Sequence, residues 1–272
     1  MFLRTIKATG AAIALLMGAA SAQAASIDLG FSLDESGSVG FTNFNLTRDA
    51  LADALASIPT SGPDEFRLAV TTFSSGITTV IAPTVVTASN ISGLQDTLRA
   101  TAYSGGSTNT AGAITNLFNL FANSTTGLGD TSIINITTDG SPNSQFSTEQ
   151  AAINANAAGL DGLSFEAVGS GLSSSTAQEN LRRIAGLGTA NDLSNAIITS
   201  DITNIPNALT TGFVLTVPTF AGFEAAIDAK ITQVVIDAGE PQPSPVPLPA
   251  GLPLLLAALG GLGVMRKRNK KA

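Results

Sequence analysis

Apolar positions along residues 26–237 switch repeatedly between two periods. Runs of strand length occur at residues 27–33, 66–73, 77–81, 132–137, 163–168 and 213–217. In the second run Phe66, Leu68 and Val70 fall on one face, as a period of two requires. The third is rich in threonine and reads as a strand near an edge. The fourth, short and isoleucine-rich, is a candidate for burial on both faces. Between these runs the spacing becomes helical. Residues 47–58 place Leu51, Leu55 and Ile58 at i, i+4 and i+7, and residues 111–121 carry a stripe of Ile114, Leu117, Phe118 and Phe121. Shorter helices are predicted over 94–100 and 176–185, and another over 147–158, opened by a cap at Ser147 or Thr148 with Glu149 close behind. Pro218 opens a final helix to residue 235, with Phe220, Phe223, Ile227 and Ile231 facing inward. Residues 186–211 fit neither period and read as an irregular insertion or an extra helix. Alternation of this length predicts an α/β fold, a doubly wound, mostly parallel sheet flanked by helices. Such sheets bind ligands at the carboxyl ends of their strands, where the winding direction reverses.

The two ends follow a different logic. Residues 1–24 open with Arg4 and Lys7, continue through an apolar run and close on Ala22-Gln23-Ala24. A basic start, a short apolar stretch and small residues before the cleavage point predict a secretory signal peptide; the competing reading is a buried N-terminal helix. Residues 25–238 form the body. Residues 239–249 form a linker with proline at every second position, which favours an extended polyproline spacer. Residues 250–265 are uncharged, about 24 Å long as a helix and slightly short of a bilayer span. The basic cluster in 266–272 follows at once and is of the kind retained on the cytoplasmic side. Together these predict a C-terminal membrane stop with the body exported.

Charge sharpens that division. The chain has 13 Lys and Arg against 20 Asp and Glu, a formal charge of −7. Seven of those basic residues lie in the two ends, so the body keeps only Arg48, Arg67, Arg99, Arg182, Arg183 and Lys230. A body this acidic speaks against nucleic acid as a partner, since phosphate neutralisation needs clustered Lys and Arg. Cysteine and histidine are both absent. That removes disulfides, thiol nucleophiles, Ser–His arrangements and zinc held by Cys or His. A metal bound here must be a hard cation held by oxygen.

Three oxygen-rich strings occupy the expected ligand end of the sheet. Asp34-Glu35-Ser36-Gly37-Ser38 follows the first strand, Gly105-Gly106-Ser107-Thr108-Asn109-Thr110 enters a helix, and Asp139-Gly140 ends the isoleucine-rich strand. Each alone is ordinary turn or cap chemistry. Jointly, two carboxylates and three hydroxyls suit a six-coordinate cation such as Mg²⁺. Two carboxylates with neutral hydroxyls also leave the ion able to accept an acidic group from outside.

The set Asp34-x-Ser36-x-Ser38, Gly106-x-Thr108-x-Thr110 and Asp139 resembles the metal-ion-dependent adhesion site (MIDAS) of von Willebrand factor type A (VWA) domains. The resemblance implies a Rossmann-like VWA fold over 25–238 and a divalent cation, Mg²⁺ or else Mn²⁺ or Ca²⁺, at the top of the sheet. Ser36, Ser38 and Thr108 would supply oxygens directly, and Asp34 and Asp139 directly or through water. A carboxylate of the partner would complete the shell, and the last helix is the element that shifts in several members. The tail, with Val246-Pro247-Leu248-Pro249-Ala250, resembles the VPLPA variant of PEP-CTERM sorting signals. That resemblance implies an exosortase-like processing enzyme and delivery to a bacterial envelope; the plainer reading is a membrane anchor.

The function expected from these features is not enzymatic. It is exported interaction or adhesion at the cell envelope, through a Mg²⁺-bridged contact with a protein carboxylate or an acidic polysaccharide. A structural matrix component with a non-essential metal site is the alternative, and a metal-assisted hydrolase a more distant one, since no spare acid except Glu35 lies near the cluster. Glu35 is expected to face solvent, Tyr103 to pack beside the Gly105 loop, and Arg182 and Arg183 to form a solvated helix face. Gly169-Ser170-Gly171 lacks the third glycine and the lysine of a phosphate loop.

Overall fold

A computed structural model of the chain describes residues 24–239; the signal sequence and the C-terminal tail predicted above lie outside them. Seven strands and six α-helices alternate: β1 (Ser26–Asp34), α1 (Gly40–Ala54), β2 (Glu65–Phe73), β3 (Ile77–Val85), α2 (Ile91–Arg99), α3 (Thr110–Ala122), β4 (Thr131–Thr138), α4 (Gln145–Ala157), β5 (Gly162–Val168), α5 (Ser175–Gly188), β6 (Ile197–Thr199), β7 (Phe213–Val217) and α6 (Phe223–Gly239). They build one sheet in the order β3-β2-β1-β4-β5-β7-β6. Every pairing is parallel except that of the edge strand β3 with β2. The predicted doubly wound sheet is therefore the observed one. Its winding reverses between β1 and β4, which puts the carboxyl ends of these two neighbours beside the crevice that such a reversal opens.

Both faces of the sheet are covered. Helices α1, α2 and α6 pack on one side and α3, α4 and α5 on the other. The stripe of α3 is as expected: Ile114, Leu117, Phe118 and Phe121 are all buried. Helix α1 begins well before the expected residue 47 and stops at Ala54, with a tighter 3-10 turn over Leu55–Ser57. Its true start carries no capping side chain, so the sequence offers no signal there. Gly40 makes the entry by adopting a left-handed φ of +72°, and Phe44, seven residues before Leu51, extends the buried face. Helix α4 is capped not by Ser147 or Thr148 but by Ser144, whose hydroxyl accepts the Ser147 amide at 3.2 Å.

Residues 186–211 are neither an extra helix nor structureless. Helix α5 runs on to Gly188, and the segment then supplies the short edge strand β6, parallel to β7. Arg182 holds it by donating to the carbonyls of Leu193 (2.7 Å) and Ala196 (2.8 Å) while paired with Glu179. Arg183 pairs with Glu149 across to α4 at 3.0 Å. These two arginines are ties between elements rather than a merely solvated face.

Two charged pairs are buried against the sheet. At the amino end, the Arg67 guanidinium forks onto Asp28 (Nε and Nη2 both 2.6 Å) and donates to the Gly127 carbonyl (2.8 Å). Asp28 also accepts the Gly129 amide at 2.7 Å and the Ser132 hydroxyl at 3.0 Å. Under α6, Lys230 forms an ion pair with Glu166 and donates to the Asn135 side chain, with its ammonium 4.8 Å from the centre of the Phe213 ring. Glu166 accepts the Thr137 hydroxyl at 3.0 Å, and Lys230 and Glu166 are both essentially inaccessible to solvent.

Candidate metal centre

The first of the three oxygen-rich strings leaves β1 at Asp34. This carboxylate is buried, accepts the Ser36 amide at 2.8 Å, and accepts the Thr138 hydroxyl at 2.6 Å from the end of β4. One side chain thereby joins the two strands at the reversal point. Ser36 and Ser38 present their hydroxyls to each other at 3.1 Å, and Ser38 donates to Asp139 at 2.8 Å. The chain of contacts from Asp34 to Asp139 is continuous across two loops.

Thr108 joins through the backbone. The Gly37 amide donates to the Gly106 carbonyl at 2.8 Å, which brings the second string against the first. Asn143 then ties the second to the third: its side-chain oxygen accepts the Thr108 amide at 3.0 Å, and its own amide donates to the Thr108 carbonyl at 2.9 Å. A methyl group placed on Gly140 would lie 3.8 Å from the Ser38 hydroxyl and 3.9 Å from that of Thr108. All five residues singled out in the sequence, Asp34, Ser36, Ser38, Thr108 and Asp139, thus gather at one place. Thr110, the last residue of the second string, does not join them. It is the first residue of α3, buried, with a hydroxyl that has no hydrogen-bond partner.

Burial pushes the Asp34 carboxyl up to about 6; hydrogen bonds from Ser36 and Thr138 oppose the rise, and the charge of Asp139 adds to it. Burial likewise raises Asp139, against the hydrogen bond from Ser38. Neither carboxylate forms an ion pair with a Lys or Arg among the described residues. Two buried anions compensated only by hydroxyl and amide dipoles form an electron-rich, all-oxygen cluster. The donor set fits a hard divalent cation, whose charge would offset the desolvation that both carboxylates bear. Among the described residues no group of three carboxylates that could hold a metal ion occurs, so the other oxygens this chain offers there are hydroxyls.

Asp28, Asp34, Asp139 and Asp161 are all raised mainly by burial. A folded-state value above the unfolded one gives stability that is present at low pH and lost as pH rises through the folded value. In EDTA, stability measured by urea unfolding is therefore expected to fall as pH climbs from about 5 to about 7. A flat or rising profile would contradict the burial of these groups.

Several functional neighbours escaped the sequence reading. Glu35, expected to face solvent, is buried: its carboxylate accepts the Thr72 hydroxyl at 3.0 Å and the Ser104 amide at 3.1 Å. Its position between two site residues concealed this, because donors on β2 and in a distant loop leave no local pattern. Tyr103 does pack beside Gly105, as expected, and also donates its hydroxyl to the Ser36 carbonyl at 3.2 Å. Gly171 lies in the turn after β5, so close to the third string that a Cβ there would sit 2.2 Å from the Asp139 carbonyl oxygen. Thr138 and Asn143 carried no signal beyond being polar residues next to Asp139.

The fold resembles those of several solved proteins. Proximal thread matrix protein 1 from the mussel byssus is 17% identical over 79% of this chain and 46% of its own, with a TM-score of 0.53. For the crystal of that protein with a zinc-occupied MIDAS motif, the corresponding values are 17%, 76%, 46% and 0.52. The pilus adhesin SpaC from Lactobacillus rhamnosus GG is 15% identical over 78% of this chain and 31% of its own, with a TM-score of 0.54. The chain spans about half the length of the mussel protein and about a third of the adhesin, and at these identities the likeness is one of fold. No curated protein matches the chain in sequence. The von Willebrand factor type A domain family matches residues 28–211, most of the described body, and the chain belongs to that family.

Proposed function

We propose that the protein is an exported envelope component that binds its partner through a divalent cation, Mg²⁺ above all, held by Asp34, Ser36, Ser38, Thr108 and Asp139. One observation carries this reading: two buried carboxylates and the serine hydroxyls between them meet at the sheet's reversal point without a cationic side chain to neutralise them. Mg²⁺ prefers about six oxygens and gives up its last waters reluctantly, so a site of this kind keeps a position open to an outside ligand. An anionic oxygen is the ligand such an ion prefers. A carboxylate of a protein, or of an acidic polysaccharide, is the partner chemistry that fits. Binding rather than catalysis is favoured by Glu35, the one spare acid near the cluster, which is buried and engaged by Thr72 and Ser104 and so not disposed as a general base.

The terminal segments complete the proposal. Residues 1–24 would direct export, and residues 239–272, with their VPLPA motif, would hold the protein at the membrane until an exosortase-like enzyme acts on them. Deleting residues 239–272 is expected to shift the protein from the membrane fraction to the medium, read by fractionation and immunoblot; retention in the membrane would refute this role.

A cation that binds only the folded state stabilises it by mass action, by about 2.7 kcal/mol at a hundredfold excess over Kd. For a domain of this size that corresponds to roughly 5–10 °C in Tm. Purified protein is expected to show a rise of this kind in Mg²⁺ over EDTA, and Asp34→Ala to abolish it. The wild-type protein, and not Asp34→Ala, should be retained on an immobilised uronate polysaccharide or a carboxylate-bearing envelope fraction in Mg²⁺ and released by EDTA. An unchanged wild-type Tm would sink the metal-bridged reading.

A further inference from the structure

Glu35 stands between Asp34 and Ser36, two residues of the proposed cation site, yet points away from them, into the protein. Its backbone amide donates to the Phe73 carbonyl at 2.8 Å, and its carboxylate takes the Thr72 hydroxyl on one oxygen and the Ser104 amide on the other. One side chain therefore binds together the end of β1, the end of β2 and the entry to the loop that carries Thr108. Other restraints share the work: the Ser104 hydroxyl meets that of Ser74 at 3.2 Å, the Tyr103 hydroxyl donates to the Ser36 carbonyl at 3.2 Å, and Asn143 holds Thr108 at its amide (3.0 Å) and its carbonyl (2.9 Å). The Ser107 amide donates to the Ser75 hydroxyl (3.0 Å), the Asn109 amide to the Ser74 carbonyl (3.0 Å), and the Gly37 amide to the Gly106 carbonyl (2.8 Å). Ser104 is where the loop enters the site, just ahead of Gly105 and Gly106, which adopt φ values of +73° and +122°. Two consecutive glycines in that region would let an untied entry swing, so Glu35 at Ser104 and Asn143 at Thr108 together fix where Thr108 lies.

The carboxylate is costly in this place. It is only 2% exposed and forms no ion pair with any Lys or Arg among the described residues. A buried acceptor without a cation persists where its hydrogen bonds hold something in register. We infer that Glu35 is a positioning residue for the metal centre: it fixes the Ser104–Thr108 loop so that the Thr108 hydroxyl meets the cation held by the first and third loops. This inference rests on the cation reading above and adds to it a residue that donates no oxygen to the ion.

The test is calorimetric titration of the purified full-length chain with Mg²⁺ alone, with Tm in EDTA measured in parallel. Outer-shell partners of metal ligands are worth about 10–100-fold in affinity. Glu35→Ala is expected to weaken Mg²⁺ binding by at least about tenfold on that scale. Glu35→Gln is expected to stay within about threefold of wild type, below that range. Its amide oxygen can accept from Ser104 while its NH₂ donates to a rotated Thr72 hydroxyl. If Glu35→Ala does not fold, Thr72→Val removes one of the two anchors with little change of shape, and a weakened affinity at near wild-type Tm supports the same conclusion. Wild-type affinity in Glu35→Ala, or in Thr72→Val where that is the variant read, overturns the inference. So does a loss in Glu35→Gln equal to that in Glu35→Ala, which would mark a charge effect instead. Absence of Mg²⁺ binding in the wild type would refute the cation reading itself, a result distinct from either of these.

Discussion

Lys230→Ala is expected to destabilise the domain by roughly 3–5 kcal/mol, a drop in Tm of roughly 10 °C. The substitution deletes the one cation paired with Glu166 among the described residues, leaves that buried carboxylate out of reach of water, and removes the donor to Asn135. Burial holds the Lys230 ammonium below its usual pKa, opposed by the Glu166 carboxylate, and removing either member leaves the other buried without its partner. The double variant Lys230→Met with Glu166→Leu should recover much of the loss, because well-packed apolar groups replace a buried pair at little cost. Urea unfolding of both single variants and the double variant reads this as a coupling energy. Additive losses would mean that the two side chains do not compensate each other. Lys230 is also the polar anchor of α6 on β4 and β5, so its loss should speed amide exchange along that helix.

Arg67→Ala is expected to cost a similar roughly 3–5 kcal/mol. Here the guanidinium covers a buried carboxylate in a two-pronged contact and also satisfies the Gly127 carbonyl at the turn before β4. Arg67→Lys should restore only part of the stability, since an ammonium has no planar fork to match Asp28. The two charged pairs differ in what else they touch. Asp28 and Asp34 sit near opposite ends of β1, separated by about 20 Å of extended chain. At that distance effects on separate sites add, so Mg²⁺ affinity should be unchanged in Arg67→Ala at temperatures where it remains folded. A parallel fall in affinity would show that the sheet transmits strain along its length.

Much of this was legible in the chain. The alternation of periods gave the strands, their order of appearance and the edge character of β3. The five residues that gather at the candidate site could be named because each follows or precedes an element whose end the periodicity marks. What stayed hidden was of two kinds. Helix starts without a capping side chain, as at Gly40, have no polar signature, and β6 is three residues held by Arg182 rather than by a hydrophobic pattern. The supporting contacts of the site were hidden for another reason. Glu35, Asn143 and Gly171 act across 35 or more residues of chain or through the backbone, where no local spacing records the partner. The buried lysine was hidden in the same way: Lys230 lies one residue from Ile231 on an inward face, and only the fold reveals Glu166 opposite it.

The close approach of Gly171 to the Asp139 carbonyl has a consequence for how the protein can change over time. The third loop rests on a turn that contributes no oxygen to the cluster. Exchanging that glycine for any larger residue would displace the loop bodily and leave every donor chemically intact. For the cation site proposed above, grip would then be graded from a turn outside it, which gives variation a dial separate from the all-or-none switch of removing a donor.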